Sequence, residues 1–373
     1  MEGALGAVGV LVAIVLFVVA HEAGHYFAAK ATGMKVTEFF LGFGPRIWST
    51  RRGETEYGIK PIFLGAYVKI IGMSSIDEVD PADEGRAYRD KPFWAKSVVV
   101  LAGVAANFLL AFMIFFGLVL WSGDQIPTTE VSAVVELADG VPSPAAEAGI
   151  RPGDVITGVA GQPTQSWDPL VERIRGLAGE EVVLDVTRDG TPLEIPVVIG
   201  ERIDPASGGP EGFLGVSPGF DRRPVGVLEG VGRSAAEMAA QVTGTFQVFG
   251  QIFRFDNLAE LAGGITGNEV SDEIRPVSLI GLAQIGSQAE ELGAARLLYI
   301  MAAVNVVLGT INALPLFPLD GGHFAVALFE KVFRRKVDIR ALVPVAVLVI
   351  GAIGLLGVLS IVLDIVNPIQ LPS

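Results

Sequence analysis

An apolar run from about Leu5 to Lys30 carries His21-Glu22-Ala23-Gly24-His25 near its end. As a helix, the run is long enough to cross the ~30 Å hydrocarbon core of a bilayer. Ionisable side chains at that depth are costly unless they face a polar interior or a metal. Positions i and i+4 share a helix face, so His21 and His25 can point at one spot. Two imidazoles so placed can hold two corners of a tetrahedral zinc site. Glu22 lies beside that face and can act on a water at the metal.

The rest of the composition narrows the field. The chain has 373 residues, several apolar runs of spanning length and a mean hydropathy above that of ordinary soluble proteins. It has no cysteine, which excludes a disulfide framework, a thiolate metal site and a cysteine nucleophile. A net charge of −14 argues against nucleic acid as a partner. The first run lacks the basic start and small-residue cleavage site of a signal peptide.

Read in order, the chain suggests four spans and one inserted soluble domain. Residues 1–122 form a first membrane part, 123–220 a soluble domain, 221–295 a linker and 296–373 a second membrane part. The first span covers about 5–30. The apolar, glycine-rich Val36–Pro45 suits a re-entrant segment, and Glu56–Pro61 and Gly65–Ile70 read as short strands of a hairpin within about 36–72. Residues 76–89 read as an acidic surface loop. The second span runs over about 98–121, with Asn107 as a polar packing residue and Trp121 at the interface.

In the soluble stretch, Val131–Leu137 reads as a strand and SPAAEAGIRPGDVI (143–156) as a short helix, a turn and a strand. Asp168–Leu177 reads as a helix capped by Ser166. Val182–Thr187 and Leu193–Ile199 flank Arg188-Asp189-Gly190, a hairpin signal. Ser234–Phe253 has an apolar face, so it either lies along a membrane surface or packs on the soluble domain. Residues 263–268 read as a flexible link. The third span, about 297–319, ends in NALPLFPLDGGH (312–323), whose prolines and glycines break the helix. Broken backbone at that depth belongs where it is buried in protein or lines a cavity. A basic loop, 330–340, precedes a fourth span over about 341–366.

Charge sets the expected orientation. The basic loop after the third span belongs in the cytoplasm. Both termini and the 122–291 region then lie outside, and that region contains no lysine. His21, His25 and Asp320 all fall at the inner ends of their spans, at matched depth.

A zinc site that keeps an open position needs three protein ligands. Asp320 is the best third candidate, since a carboxylate at that depth is expensive without a cation. Zinc would lower the pKa of its water toward ~7. Glu22 would take the water proton and pass it to the leaving amine. Asn312 is placed to hydrogen-bond the substrate backbone or the developing oxyanion. His323 completes the histidines of the chain and is not counted as a ligand. Because a helical peptide bond is shielded, the substrate must be held extended, and an edge of the Glu56–Ile70 strands could serve for strand addition.

Together these segments resemble the site-2 protease family of intramembrane zinc metalloproteases, in its bacterial PDZ-containing form. HEAGH matches HExxH, and Asn312, Pro315, Asp320 and Gly321 match the Asn-Pro-Asp-Gly signature. Gly42-Phe43-Gly44-Pro45 and Leu64–Lys69, with Gly65 and Tyr67, match the membrane hairpin that contacts substrate. Ala102-Gly103 and Ala106-Asn107-Phe108 match the second span, with Val104 where proline is usual. SPAAEAGIRPGDVI resembles a PDZ domain, and Gly212-Phe213-Leu214-Gly215 its carboxylate-binding loop. The resemblance implies a Zn2+ cofactor and a place in the bacterial cytoplasmic membrane. It implies cleavage within the membrane segment of single-span proteins, such as anti-sigma factors or signal-peptide remnants, after a first outer cut. The PDZ domain would exclude bulky substrates or bind a new C-terminus. The competing readings are a zinc protease of quality-control type and an inactive PDZ scaffold.

Overall fold

The computed structural model describes residues 2–73, 79–135, 142–203, 209–252, 254–264, 270–271, 274–289 and 293–369. The chain divides into two compact units, Met1–Val119 with Val227–Ser373, and Leu120–Gly226.

The first unit begins with α1 (Glu2–Ala31). The strands β1 (Val36–Phe43), β2 (Trp48–Arg52), β3 (Thr55–Ile59) and β4 (Ile62–Ile70) follow, and then α2 (Phe93–Ser122). The four strands form one mixed sheet in the order β2-β3-β1-β4. Within Val36–Pro45, the segment read as re-entrant, Val36–Phe43 forms a strand, parallel to β3 and antiparallel to β4. Its β-branched and aromatic residues suit a pleated, half-buried surface. Of the loop expected over 76–89, residues 76–78 lie outside the described residues. The remainder is not all surface, since Ala87 is buried and Tyr88 is buried in a cluster with Val36, Ile70 and Val99. That cluster also holds Ala29 and Ala95, so it ties α1, the sheet and α2 together.

The second unit consists of β5 (Asp124–Val134), α3 (Pro144–Glu147), β6 (Val155–Val159), β7 (Gln162–Pro163), α4 (Trp167–Arg175), β8 (Glu181–Arg188), β9 (Thr191–Val198), β10 (Gly200–Ile203), β11 (Pro210–Phe213) and β12 (Val216–Arg223). Its main sheet runs β12-β5-β6-β8-β9, with β7 paired to β6, around a core that includes Ile156, Leu170 and Leu184. The strand expected to reach Leu137 ends at Val134, and residues 136–141 lie outside the described residues. Ser166 sits at the start of α4, but its side chain makes no capping bond; the side-chain cap is Ser143 on α3, whose Oγ accepts from Ala146 N.

The GIRPGD turn owes its shape to Asp154. Its side chain is 1% exposed and accepts from Arg188 Nε and Nη2, both at 2.7 Å, and from Arg151 N at 2.8 Å. The Arg188 guanidinium holds the Asp154 carboxyl below the usual carboxylate range. Asp154→Ala removes the acceptor of these three bonds and should destabilise this unit, although Arg188 is partly exposed and is not left as a bare buried charge. With the folded-state pKa below the unfolded one, the stabilisation is complete above the unfolded value of about 3.9. It is lost as pH falls through the folded value. Hydrogen exchange of β6 and β8 in the full chain should therefore lose protection on acidification in the wild type. In Asp154→Ala protection should already be low at neutral pH, with a flattened acid limb.

The first unit resumes with α5 (Val227–Ile252), α6 (Phe255–Gly264), α7 (Leu279–Ala289), α8 (Ala294–Asn312), α9 (Asp320–Phe333) and α10 (Val343–Val366). Among the described residues, four helical stretches, Leu5–Ala31, Phe93–Ser122, Ala294–Asn312 and Arg340–Val366, are long and apolar enough to cross a membrane. Part of the apolar face expected for the 234–253 segment is used within the first unit. Met238 and Val242 of α5 pack with Phe115, Ala302 and Val306 of α2 and α8, and Tyr299 Oη donates to Glu237. The link expected over 263–268 lies outside the described residues from 265 on, and its first two residues end α6. Asp364 of α10 is fully buried and ion-paired with Arg275 at 3.1 Å. Its Oδ2 also accepts from Ser278 N and Gly281 N at the start of α7.

The third apolar helix ends at Asn312, earlier than the expected 319, and a new helix opens at Asp320 and runs to Phe333, into the loop expected over 330–340. Pro315 and Pro318 lack an N–H and disfavour helical geometry in the residue before them. Gly321 and Gly322 then let this turn fold back onto α9. A Cβ at Gly321 would sit 2.1 Å from Ala313 O, and one at Gly322 would sit 2.4 Å from Phe317 N.

Candidate metal centre

Two elements bring three functional side chains to one point. His21 and His25 lie one turn apart on α1, and Asp320 is the first residue of α9. His21 Nε2 and His25 Nε2 are 3.1 Å apart, and Asp320 Oδ2 lies 3.1 Å from the first and 3.2 Å from the second. Both histidines are buried, and among the described residues these three form the one group of His, Cys, Asp or Glu side chains with metal-ligand spacing.

The donor set fits a zinc ion. His25 Nδ1–H donates to Val99 O at 2.8 Å, which leaves the lone pair of Nε2 facing His21 and Asp320. Such a bond to the second ring nitrogen is the usual support of a metal-ligating histidine. Asp320 Oδ2 is buried and has no hydrogen-bond partner. Donors about 2.0–2.1 Å from a tetrahedral zinc are about 3.3 Å from one another, close to the triangle observed. Without a cation or proton among them, three electron-rich atoms at this separation would repel.

The space for this arrangement comes from two glycines that sequence reasoning did not assign to the site. A Cβ at Gly103 of α2 would lie 2.3 Å from His25 Nε2, and one at Gly24 of α1 would lie 2.4 Å from Ala102 O. Gly24 carried a signal, since it lies inside the HEAGH motif; Gly103 lies on α2, which holds no metal donor, and nothing local marked it. Asn107, one turn beyond Gly103, was expected to make a packing hydrogen bond through its side chain. It is buried, and its amide group is unpartnered. Its backbone carbonyl accepts from Asn305 Nδ2 at 2.8 Å.

A cavity of about 270 Å³ opens on the three donors. Glu22, Tyr67, Asn312 and His323 line it, and so do Val68, Met73, Pro318 and Leu319, which the sequence had not singled out. Pro315, Gly42, Gly44 and Gly65 are not among its lining residues. Gly42 instead serves the sheet: its φ is +85°, and a Cβ there would lie 2.5 Å from Lys60 O. β4, which carries Tyr67 and Val68 to the cavity, is an edge strand. Tyr67 Oη donates to Glu38 at 2.6 Å and accepts from Lys60 Nζ at 2.7 Å, which fixes its ring.

In the second unit, Gly212, Phe213, Leu214 and Gly215 line a separate cavity of about 280 Å³ with Trp167, Val171 and Ile174 of α4. Of the expected 212–215 loop, Gly212 and Phe213 end β11 and pair with β10, and Leu214-Gly215 lead into β12, which is likewise an edge strand.

Residues 9–367 match peptidase family M50. Zinc metalloprotease Rip1 of Mycobacterium tuberculosis is 34% identical, with 98% of each chain covered. The proteins of the same name from Mycobacterium bovis and Mycolicibacterium smegmatis are 32% and 30% identical, again over 98% of each chain. A family match over nearly the whole length, with relatives aligned end to end, establishes that the chain belongs to peptidase family M50.

Proposed function

We propose that the chain is a zinc endopeptidase of the bacterial cytoplasmic membrane that cuts peptide bonds within the membrane-spanning segment of single-span proteins. The observation that carries this reading is the 3.1–3.2 Å triangle of His21, His25 and Asp320, set between helices apolar enough to lie in a bilayer. His21, His25 and Asp320 hold the metal. Zinc in such a site acts as a Lewis acid and lets water ionise near neutral pH.

The remaining steps belong to the chain's own side chains. Glu22 accepts the proton of the attacking water and delivers it to the nitrogen of the departing amine. Asn312, at the end of α8, donates its amide N–H to the substrate carbonyl oxygen as negative charge develops there. The edge of β4 pairs with the substrate in an extended conformation, so the bond to be cut is released from helical hydrogen bonds. Val68, Met73, Pro318 and Leu319 shield the reacting bond from bulk water.

The second unit acts as a PDZ domain. Its 212–215 loop and the edge of β12 suit a peptide C-terminus added as a strand, and it lies outside the cell with both termini. Substrates of this class are anti-sigma factors or signal-peptide remnants already shortened by an outer cut.

Asp320→Ala in proteoliposomes with a single-span substrate tests the reading. Zinc affinity should fall by more than the roughly 10–100-fold typical of outer-shell changes, and cleavage should stop. Wild-type zinc content in this variant overturns the ligand set. Cleavage of a soluble unfolded chain, with the single-span substrate left intact, overturns the substrate class.

A further inference from the structure

Beyond the catalytic cavity, two segments distant in sequence meet around a second one. The turn before α2 contributes Arg89 and Lys91. The last turn of α9 and the residues after it contribute Lys331, Arg334, Arg335 and Lys336. These six cations line a cavity of about 310 Å³. None of them forms an ion pair or a side-chain hydrogen bond among the described residues. The carboxylate in the lining, Glu330, is already engaged: Oε2 accepts from Lys96 Nζ at 3.0 Å, and Oε1 accepts from Val337 N at 3.2 Å.

Like charges gathered at one place repel unless an anion joins them. The C-terminal carbonyls of α9 attract cations and account for some of this charge on its own last turn. They do not account for Arg89 and Lys91, which belong to another element. Phe93 and Ala327 line the cavity, and the same two helices expose Trp94 on α2 and Phe329, Val332 and Phe333 on α9. Aromatic residues beside clustered cations mark the plane of lipid headgroups.

We propose that this cavity binds the headgroup of an anionic phospholipid, with its phosphate among the six cations and its acyl chains leaving past Phe93 and Ala327. Six unpaired cations exceed the charge of one phosphodiester, so a diphosphatidyl headgroup is the best match. A free phosphate ion would leave the apolar flank uncovered. The site is built on α9, whose first residue is Asp320, so the lipid would hold the far end of the helix that presents the third metal donor. This inference rests on the membrane reading above but not on the peptidase chemistry.

The experiment uses the full chain purified in mild detergent and returned to nanodiscs of phosphatidylcholine with or without diphosphatidylglycerol. Bound lipid is read by native mass spectrometry. The wild type should retain diphosphatidylglycerol in preference to phosphatidylcholine, and millimolar inorganic phosphate should not displace it. Each cation near an anionic headgroup contributes a factor of about five. Lys331→Gln/Arg334→Gln/Arg335→Gln should therefore bind about a hundredfold more weakly, with zinc content unchanged as the check on folding. Arg89→Gln/Lys91→Gln, on the other element, should lose about 25-fold by the same reckoning. Arg51→Gln/Arg52→Gln, an exposed basic pair on β2, should bind as the wild type does. Equal retention by wild type and both site variants overturns the proposal, as does no preference for the anionic lipid. Displacement by inorganic phosphate would make this a free-anion site, and displacement by an acidic peptide would make it a protein-docking site; either result also overturns it.

Discussion

Glu22→Gln is expected to lower kcat for peptide-bond cleavage by a factor of about 10²–10⁴ while leaving zinc bound. The substitution keeps the shape of the side chain and its place in the cavity lined by His21, His25 and Asp320. What it removes is the capacity to accept a proton. The three metal donors are other residues, so zinc content measured by elemental analysis should match the wild type. This separates Glu22 from Asp320, where metal and activity fall together. A transition-state role predicts that kcat and kcat/KM drop by similar factors, with substrate affinity held. Activity of Glu22→Gln within a few-fold of wild type would remove Glu22 from the mechanism.

Much of the site was legible because membrane depth turns polarity into information. In a soluble chain, Asp320 before two glycines would read as an ordinary turn. In an apolar run a carboxylate needs a reason, and its match in depth to His21 and His25 supplied one. The fourth apolar helix, the β8–β9 hairpin and the helix at 167–175 followed from similar local signals. What could not be read was non-local. The parallel pairing of β1 with β3 joins segments across an intervening strand, and nothing in VTEFFLGF specifies its neighbour. The end of α8 at Asn312 is set by Pro315 and Pro318 together. The sequence shows that the helix breaks but not that it restarts at Asp320. The buried pair of Arg275 with Asp364 went unnoticed for a related reason. Asp364 lies close to the end of an apolar run, where a carboxylate in water would need no partner.

The close approach of α1 and α2 is the hardest feature to see in sequence, and it carries the second large prediction. Gly103→Ala should lower zinc affinity on the order of 10–100-fold, the range for changes that misplace a ligand rather than remove it. A Cβ at this position would lie 2.3 Å from His25 Nε2, 2.6 Å from His25 Cε1 and 2.9 Å from His21 Cε1. The imidazole cannot simply swing aside, because its Nδ1–H is held by Val99 O, on the same helix as the new methyl group. Either that bond breaks or α2 moves away from α1, and both outcomes disturb the donor triangle. Alanine is the better helix former by about 1 kcal/mol, so the bare helix gains from the substitution. Loss of metal without loss of helix content would therefore mark a local clash rather than unfolding. Gly117→Ala supplies the control: it lies on the same helix, and a Cβ there meets nothing within 4 Å. Chelator competition on the three proteins decides the matter. Gly117→Ala should match the wild type, and a Gly103→Ala protein that also matches it would show that the helices have room to spare at the metal centre.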